Sequence, residues 1–271
     1  MEEKVSLKEI ERSIIKKYRG KLWAPFVKAI NEFDMIQDGD KIAVCVSGGK
    51  DSMLLAKLFQ ELQKHGKKKF DLEFIAMDPG FSEFDKAMMI ENCKHLNIPI
   101  HLFETNIFAV IEKKAADFPC YLCARMRRGH LYGFAQELGC NKIALGHHFN
   151  DVIETTMMNV LYAGNFKTMM PKLKSTNHDG MELLRPMVYV REKDIINYTK
   201  QTSLSPMNCG CVVAAGKTAS TRAHIKQFIK DYKDIFDDVD KSIFAAGTNV
   251  NMDTIIGYVK DGEKYSFLDE Y

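Results

Sequence analysis

The chain predicts an α/β fold, a doubly wound and mainly parallel sheet with helical N- and C-terminal extensions. Three observations predict it. Apolar or β-branched runs alternate with helical patterns along the middle of the chain, the order of elements that builds a parallel sheet. The first run breaks into a Ser-Gly-Gly-Lys-Asp-Ser turn just before the first such helix, and ligand loops of open parallel sheets lie at the carboxyl ends of strands. The 271 residues exceed a typical single domain yet accommodate one α/β domain with extensions. With 46% hydrophobic and 27% charged residues the usage is globular and excludes a disordered chain.

Taken in order, residues 1–35 form a helical arm, because Ile10, Ile14, Ile15, Leu22, Phe26, Ile30 and Phe33 recur at roughly helical spacing and Asp38-Gly39-Asp40 ends the pattern. Strands are expected at 41–46, 70–77, 99–103 and 141–145, with a less clear one at 183–190. Helical patterns lie between them at 52–63, 82–96, 125–138 and 151–162, so residues 36–200 make the sheet domain. Helical spacing returns at 191–200 and 218–236, giving a helical C-terminal region over 201–271 whose last stretch, from residue 260 on, reads as loosely ordered.

The loop Ser47-Gly48-Gly49-Lys50-Asp51-Ser52 asks for an anion. Two glycines let the backbone come close to a ligand, and the helix that follows points unpaired N–H groups and a positive dipole end at the same place. Ser47 and Ser52 add hydroxyl donors, and Lys50 adds a charge that no turn requires for its geometry. Neither a Walker loop nor the Gly-x-Gly-x-x-Gly fingerprint has this spacing.

No apolar segment is long enough to span a bilayer, and Met1-Glu2-Glu3-Lys4 opens no signal peptide, so a cytoplasmic protein is expected, with no membrane partner. Seven cysteines argue against a disulfide framework and direct attention to those that cluster. A net charge of +2 is too mild to announce a nucleic-acid partner, but basic residues gather at 12–19, 64–69, 125–128 and 167–174, and such clusters around one site suit a polyanionic substrate.

Two further motifs carry chemistry. In Pro119-Cys120-Tyr121-Leu122-Cys123 the thiols stand at i and i+3 and can share a metal; a pair of buried thiols and a redox disulfide are the competing readings. A metal needs further ligands, and Cys209 and Cys211 are the candidates, since Cys45 lies inside a strand and Cys93 and Cys140 look like ordinary helix or loop residues. Four thiolates fit zinc and three fit an iron–sulfur cluster with one open iron; spacing alone leaves the two even. In Gly146-His147-His148-Phe149-Asn150-Asp151-Val152-Ile153-Glu154, Gly146 ends a strand, and Asp151 and Glu154 fall one helical turn apart, where they can hold Mg²⁺ beside phosphates.

The Ser-Gly-Gly-Lys-Asp-Ser loop resembles that of the PP-loop ATP pyrophosphatases. Combined with Pro79-Gly80, Cys120-x-x-Cys123-x-Arg125-x-Arg127-Arg128-Gly129, Gly146-His147-His148-x-x-Asp151-x-x-Glu154-Thr155 and Arg185-Pro186-Met187-x-Tyr189-x-Arg191-Glu192-Lys193-Asp194-Ile195, it resembles the tRNA 2-thiocytidine synthetases from about residue 33 to residue 209. The resemblance implies a PP-loop (adenine nucleotide α-hydrolase-like) sheet and an enzyme that uses ATP, Mg²⁺ and a 4Fe-4S cluster to replace the C2 oxygen of a tRNA cytidine, at position 32, by sulfur. It assigns Ser47, Gly48, Gly49, Lys50, Asp51, Ser52 and Gly146 to ATP, and makes Lys50, Asp51 and Asp151 catalytic. Cys120, Cys123 and Cys209 become the cluster ligands; the chain has Cys209-Gly210-Cys211 where the family has Cys-x-x-Cys, so Cys211 stays an alternative to Cys209. Implied partners are tRNA and a sulfur donor such as a cysteine desulfurase system, with a homodimer one expectation. Two rivals stand beside this reading: a PP-loop enzyme with a zinc site acting on another tRNA base or a small acid, and a non-enzymatic iron–sulfur or thiol sensor.

Overall fold

Strand β1 (Lys41–Cys45) is apolar at every position after the first and buried on both faces, as a central parallel strand must be. The computed structural model describes residues 5–114, 119–202, 204–207 and 218–271, and β1 lies in the middle of a sheet that has six strands among them. On one side it pairs in parallel with β2 (Asp71–Asp78), and β2 with β3 (Ile100–Glu104); on the other it pairs in parallel with β4 (Lys142–Ala144). Beyond β4 come β5 (Lys172–Lys174) and β6 (Glu182–Leu184), with β6 parallel to β4 and β5 an antiparallel edge. The order β3-β2-β1-β4-β6-β5 reverses direction between β1 and β4. At such a reversal the connections leave to opposite faces and open a crevice at the strands' carboxyl ends.

The N-terminal arm covers one face. Helix α1 (Leu7–Ile15) starts with a capping box between Ser6 and Glu9, a π-helical stretch spans Arg19–Trp23, and α2 (Ala24–Glu32) begins with Pro25 in its first turn, where a missing N–H costs nothing. Ile10, Ile14, Leu22 and Phe26 share one core with Ile42 and Val44 of β1, with Leu54 and Phe59 of α3 (Lys50–His65), and with Met89 and Cys93 of α4 (Glu83–His95). Helix α5 (Ile107–Lys114) follows β3, and α6 (Pro119–Glu137) lies on the opposite face, where Tyr132 and Ala135 pack on Ala43, Ile75 and Ile143. After β4 comes α7 (Phe149–Ala163), after β6 α8 (Glu192–Gln201), and then α9 (Thr218–Lys233) and α10 (Val239–Ala246), of which α9 packs against α7. No helix among the described residues is long and apolar enough to cross a membrane.

Four differences from the sequence reading have physical causes. Helix α6 begins six residues before the expected start at 125, because Pro119 is suited to a first helical position, so the Cys120-x-x-Cys123 motif is helical. The strand expected over 183–190 stops at Leu184, two residues before Pro186, which has no N–H to give a ladder; only a bridge between Met187 and His148 remains. Strand β5 and helices α5 and α10 are each eight residues or fewer, too short to show a period. The stretch from residue 260 on is ordered: β7 (Gly257–Lys260) and β8 (Glu263–Ser266) form a hairpin across Asp261-Gly262, both at positive φ, with Tyr258 stacked on Tyr265. Asp-Gly is the standard two-residue hairpin turn.

Lys57, on the buried face of α3, is only 1% exposed. Its ammonium donates to Glu11 Oε1 at 2.7 Å, Gln60 Oε1 at 2.7 Å and the Leu96 carbonyl at 3.0 Å, tying α1, α3 and the end of α4 together. Glu11→Ala leaves that buried charge without its counter-ion and is expected to cost about 1–3 kcal/mol. Urea denaturation reads this out, and an unchanged midpoint would mean that solvent reaches the ammonium.

Candidate active site

The crevice is built from the loop after β1 and the turn after β4. Gly48 sits at φ +80°, and a Cβ there would lie 2.4 Å from the Met207 sulfur, so only glycine fits; the Gly48 carbonyl accepts the Met207 N–H at 3.0 Å. Gly49, extended, precedes α3 and gives it no side-chain cap. The first N–H groups of that helix therefore face the loop as donors, backed by the positive end of the helix. Ser52 is buried and braces the loop: its hydroxyl accepts from the Ser47 N–H at 3.0 Å and the Ser47 hydroxyl at 3.1 Å, and donates to the Gly49 carbonyl at 2.9 Å.

Lys50 Nζ lies 3.0 Å from Asp51 Oδ2 and 3.6 Å from Glu192 Oε1 at the start of α8. Burial works against its charge, but the two carboxylates raise its pKa, so it is an ammonium at neutral pH. Asp51 Oδ1 is buried and has no hydrogen-bond partner among the described residues. Gly146 brings the end of β4 against the first turn of α3, where a Cβ would stand 3.2 Å from the Asp51 carbonyl carbon and 3.2 Å from the Ser52 nitrogen. The neighbour is backbone and would have to give by a few tenths of an ångström for any larger residue, so glycine favours this close approach.

His148 caps α7 by a reciprocal pair: Asp151 N–H donates to its Nδ1 at 3.4 Å, and its own N–H donates to Asp151 Oδ2 at 2.9 Å. With Nδ1 accepting, Nε2 is the ring's donor nitrogen, and it stands 3.8 Å from Asp51 Oδ1. The structure brings Asp151 and Glu154 together as expected, and places between them a residue the sequence reading missed. Arg222 of α9 donates from one Nη1 to Asp151 Oδ1 at 2.8 Å and to Glu154 Oε2 at 3.4 Å. One turn further on, Lys226 lies 2.5 Å from Glu192 Oε2. Their only signal in the sequence was an i, i+4 pair of cations on the last long helix. Burial pushes the Glu154 carboxyl up to about 7 against the pull of Arg222. Burial acts the same way on Asp151, but His148 and its N–H hold that carboxyl below its ordinary value.

On the other side of the loop, Cys123 is buried among Met77 of β2, Ile107, Phe108, Ile111 and Met126, and Cys120 belongs to the first turn of the same helix. Arg127, one turn past Cys123, lies over the Phe108 ring at 5.4 Å. Cys209 and Cys211 lie outside the described residues; Met207, two residues before Cys209, holds on to Gly48. The remaining cysteines of the described chain, Cys45, Cys93 and Cys140, are buried, and burial raises every one of these thiols, Cys93 to about 12 and Cys140 to about 11. Thiols held protonated in this way make poor ligands and nucleophiles.

A glycine-rich anion loop after the first strand of a 3-2-1-4 parallel sheet is the arrangement of a nucleotide-binding α/β protein, and the PP-loop domain family matches residues 22–207. The chain is 36% identical over 245 residues to the tRNA-cytidine(32) 2-sulfurtransferase of Alcanivorax borkumensis, covering 89% of this chain and 84% of that one. It is also 36% identical over 234 residues to the enzyme of the same name from Bdellovibrio bacteriovorus, covering 85% and 88%. The chain thus belongs to the tRNA-cytidine(32) 2-sulfurtransferase family. Among solved structures it shares its fold with the U34-tRNA thiolase NcsA from Methanococcus maripaludis, determined with its [4Fe-4S] cluster, at a TM-score of 0.67 and 20% identity over 83% of this chain and 76% of that one.

Because Glu154 is neutral in the fold up to about pH 7 while an unfolded glutamate ionises near 4.5, its contribution to stability is fully present below 4.5 and is lost as pH rises through 7. Glu154→Gln is expected to flatten that slope in the metal-free protein. Thermal melts from pH 4 to 8 that run parallel for wild type and variant would show Glu154 ionising normally.

Proposed function

We propose that this chain is an ATP-dependent tRNA thiolase, replacing the C2 oxygen of cytidine 32 by sulfur. The observation that carries the reading is Asp51: a buried carboxylate oxygen with no hydrogen-bond partner among the described residues, at the first turn of α3 and beside the ammonium of Lys50. A carboxylate so placed, below a loop of unpaired N–H donors, fits a magnesium ion arriving with a nucleotide's phosphates. Asp151 fits the same ion only when Arg222 releases its Oδ1.

The chemistry needs two displacements. The C2 oxygen of the base attacks the α-phosphorus of ATP, the bond to the β-phosphate oxygen breaks, and pyrophosphate leaves. Sulfur then bonds to C2, and the C–O bond breaks with AMP as the leaving group. Lys50 and the α3 N–H groups neutralise the charge that builds on the leaving pyrophosphate, the largest effect a protein can supply in phosphoryl chemistry. Ser52 keeps the loop in shape, and Gly146 sets the distance between the two halves of the crevice. Lys50, Asp51 and Asp151 are the catalytic residues of this reading, and Ser47, Gly48, Gly49, Ser52 and Gly146 build the nucleotide cradle. Two cysteines at i, i+3 on one helix, and a further cysteine two residues after the Met207 that bonds to the loop, fit a three-thiolate set for a 4Fe-4S cluster. The cluster would supply the sulfur at the iron that no cysteine holds. A cytoplasmic setting, a sulfur donor such as a cysteine desulfurase system and a homodimer complete the proposal.

Lys50→Ala is expected to lower tRNA-dependent AMP and pyrophosphate formation by about 100-fold or more with iron content and melting temperature retained. Wild-type turnover in that variant would sink the ATP assignment. Cys120→Ala, Cys123→Ala and Cys209→Ala are each expected to remove iron and thiolation together, while Cys45→Ala, Cys93→Ala and Cys140→Ala keep both. Iron lost from Cys211→Ala but kept by Cys209→Ala would move the third ligand to Cys211. Iron lost from both would indicate a closed four-thiolate site and end the open-iron mechanism.

A further inference from the structure

Of the four basic clusters in the sequence, the fold brings two together. Arg125 and Arg128, at i and i+3 on α6, share a groove of about 650 Å³ with Lys174 at the end of β5 and with Asn177 and His178 in the turn leading to β6. The other two lie elsewhere: Lys67 and Lys68 line a separate pocket beyond the C-terminus of α3, and Lys17 lines one between the N-terminal arm and α8. We propose that the groove between α6 and the β5–β6 turn holds the sugar–phosphate backbone of the tRNA while its base is presented at the crevice. This rests on tRNA being the substrate.

Two observations carry it. Arg125, Arg128 and Lys174 have no ion pair and no side-chain hydrogen bond among the described residues, whereas the cations of the crevice, Lys50, Arg222 and Lys226, are all matched with carboxylates. No carboxylate lines the groove. Arg185, 8% exposed at the end of β6, does not line the groove: its Nη1 donates to the Met170 carbonyl and its Nε has no partner among the described residues. Three unmatched cations on one groove without a carboxylate favour an anionic occupant.

The floor says which part of a nucleic acid it takes. Tyr132 is 4% exposed and its ring is covered by His178, parallel at 4.8 Å. His178 Nδ1 is in turn held 3.1 Å from Gln136 Oε1. A covered ring offers no platform for a base to stack on, and exposed arginines and lysines bind phosphate without reading sequence. The groove is therefore a backbone track. Arg125 is two residues past Cys123, so its upper end opens where the cysteine helix begins.

The test is the salt dependence of unmodified tRNA binding by the full-length, cluster-loaded protein, measured by anisotropy of labelled tRNA. Arg125→Gln combined with Arg128→Gln is expected to weaken binding by about 10-fold or more near 0.15 M salt and to reduce the log–log slope by about 2, one for each phosphate that no longer meets a cation. Lys67→Gln combined with Lys69→Gln removes the same charge from another face and is expected to leave the slope unchanged. Should the groove double variant fail to fold, Lys174→Gln on the exposed edge strand is expected to reduce the slope by about 1. Wild-type affinity and slope in the folded groove variants would overturn the groove and leave tRNA as the substrate. A wild-type protein with no salt-dependent tRNA binding would overturn both the groove and the function proposed above.

Discussion

Everything at the crevice depends on two backbones being allowed to touch. The exit of β4 comes within van der Waals contact of the first turn of α3, an approach that a side chain at Gly146 would crowd. That contact fixes where α7 begins, and so sets His148 and Asp151 beside Asp51 and Lys50. Strand order gives the reversal between β1 and β4, but the reversal makes a crevice only to within several ångströms. The close approach turns it into a site in which charged and polar groups from the β1, β4 and β6 connections come within 4 Å of one another, the kind of placement that positioning catalysis requires.

The polar side chains themselves form two linked rows of contacts. Asp51, Lys50, Glu192 and Lys226 follow one another on one side, and Asp51, His148, Asp151, Arg222 and Glu154 on the other. Helix α9 gives each branch one cation, Arg222 and Lys226, one turn apart. A metal-bound polyphosphate entering such an array exchanges partners with groups that are already desolvated and aligned, so little reorganisation is left for the reaction itself. The raised pKa of Glu154 comes first from burial, with the neighbouring Asp151 and Glu192 adding to it against the pull of Arg222 and Lys226.

The sequence made the sheet legible because its central strands are buried on both faces and read as continuous apolar runs, each followed by a long helical period. Edge elements were not legible. Lys172–Lys174 is three residues long and carries two lysines, a composition that blunts an edge and leaves no apolar alternation to detect. The C-terminal hairpin could have been found, since Asp261-Gly262 between β-prone Tyr258, Val259 and Tyr265 is a turn signal in its own right. At the site, the phosphate loop, the Asp151–Glu154 pair and the inert character of Cys45, Cys93 and Cys140 followed from local pattern. Arg222 and Lys226 did not, because a cation's partner is set by where its helix docks, and docking is decided by Ile225 and Ile229 packing on Phe149 and Ile153. The spacing of 222 and 226 carries no trace of that. At Gly146 the space a side chain would fill is taken by the protein's own backbone, a tertiary contact that the strand-end pattern does not show.

The buried ammonium of Lys57 has a bearing on how the chain can be divided. It lies within a helix whose start forms the anion loop, yet its counter-ion comes from the N-terminal arm. An isolated sheet domain would leave this interior cation without its bonded carboxylate, with only the more distant Glu61 favouring its charge, and would either deprotonate it, in line with the downward pull that burial already exerts on this amine, or loosen the packing around α3 to let water in. Arm and sheet are thus one cooperative unit in the thermodynamic sense, and the anion loop inherits its rigidity from a segment that lies far from any substrate.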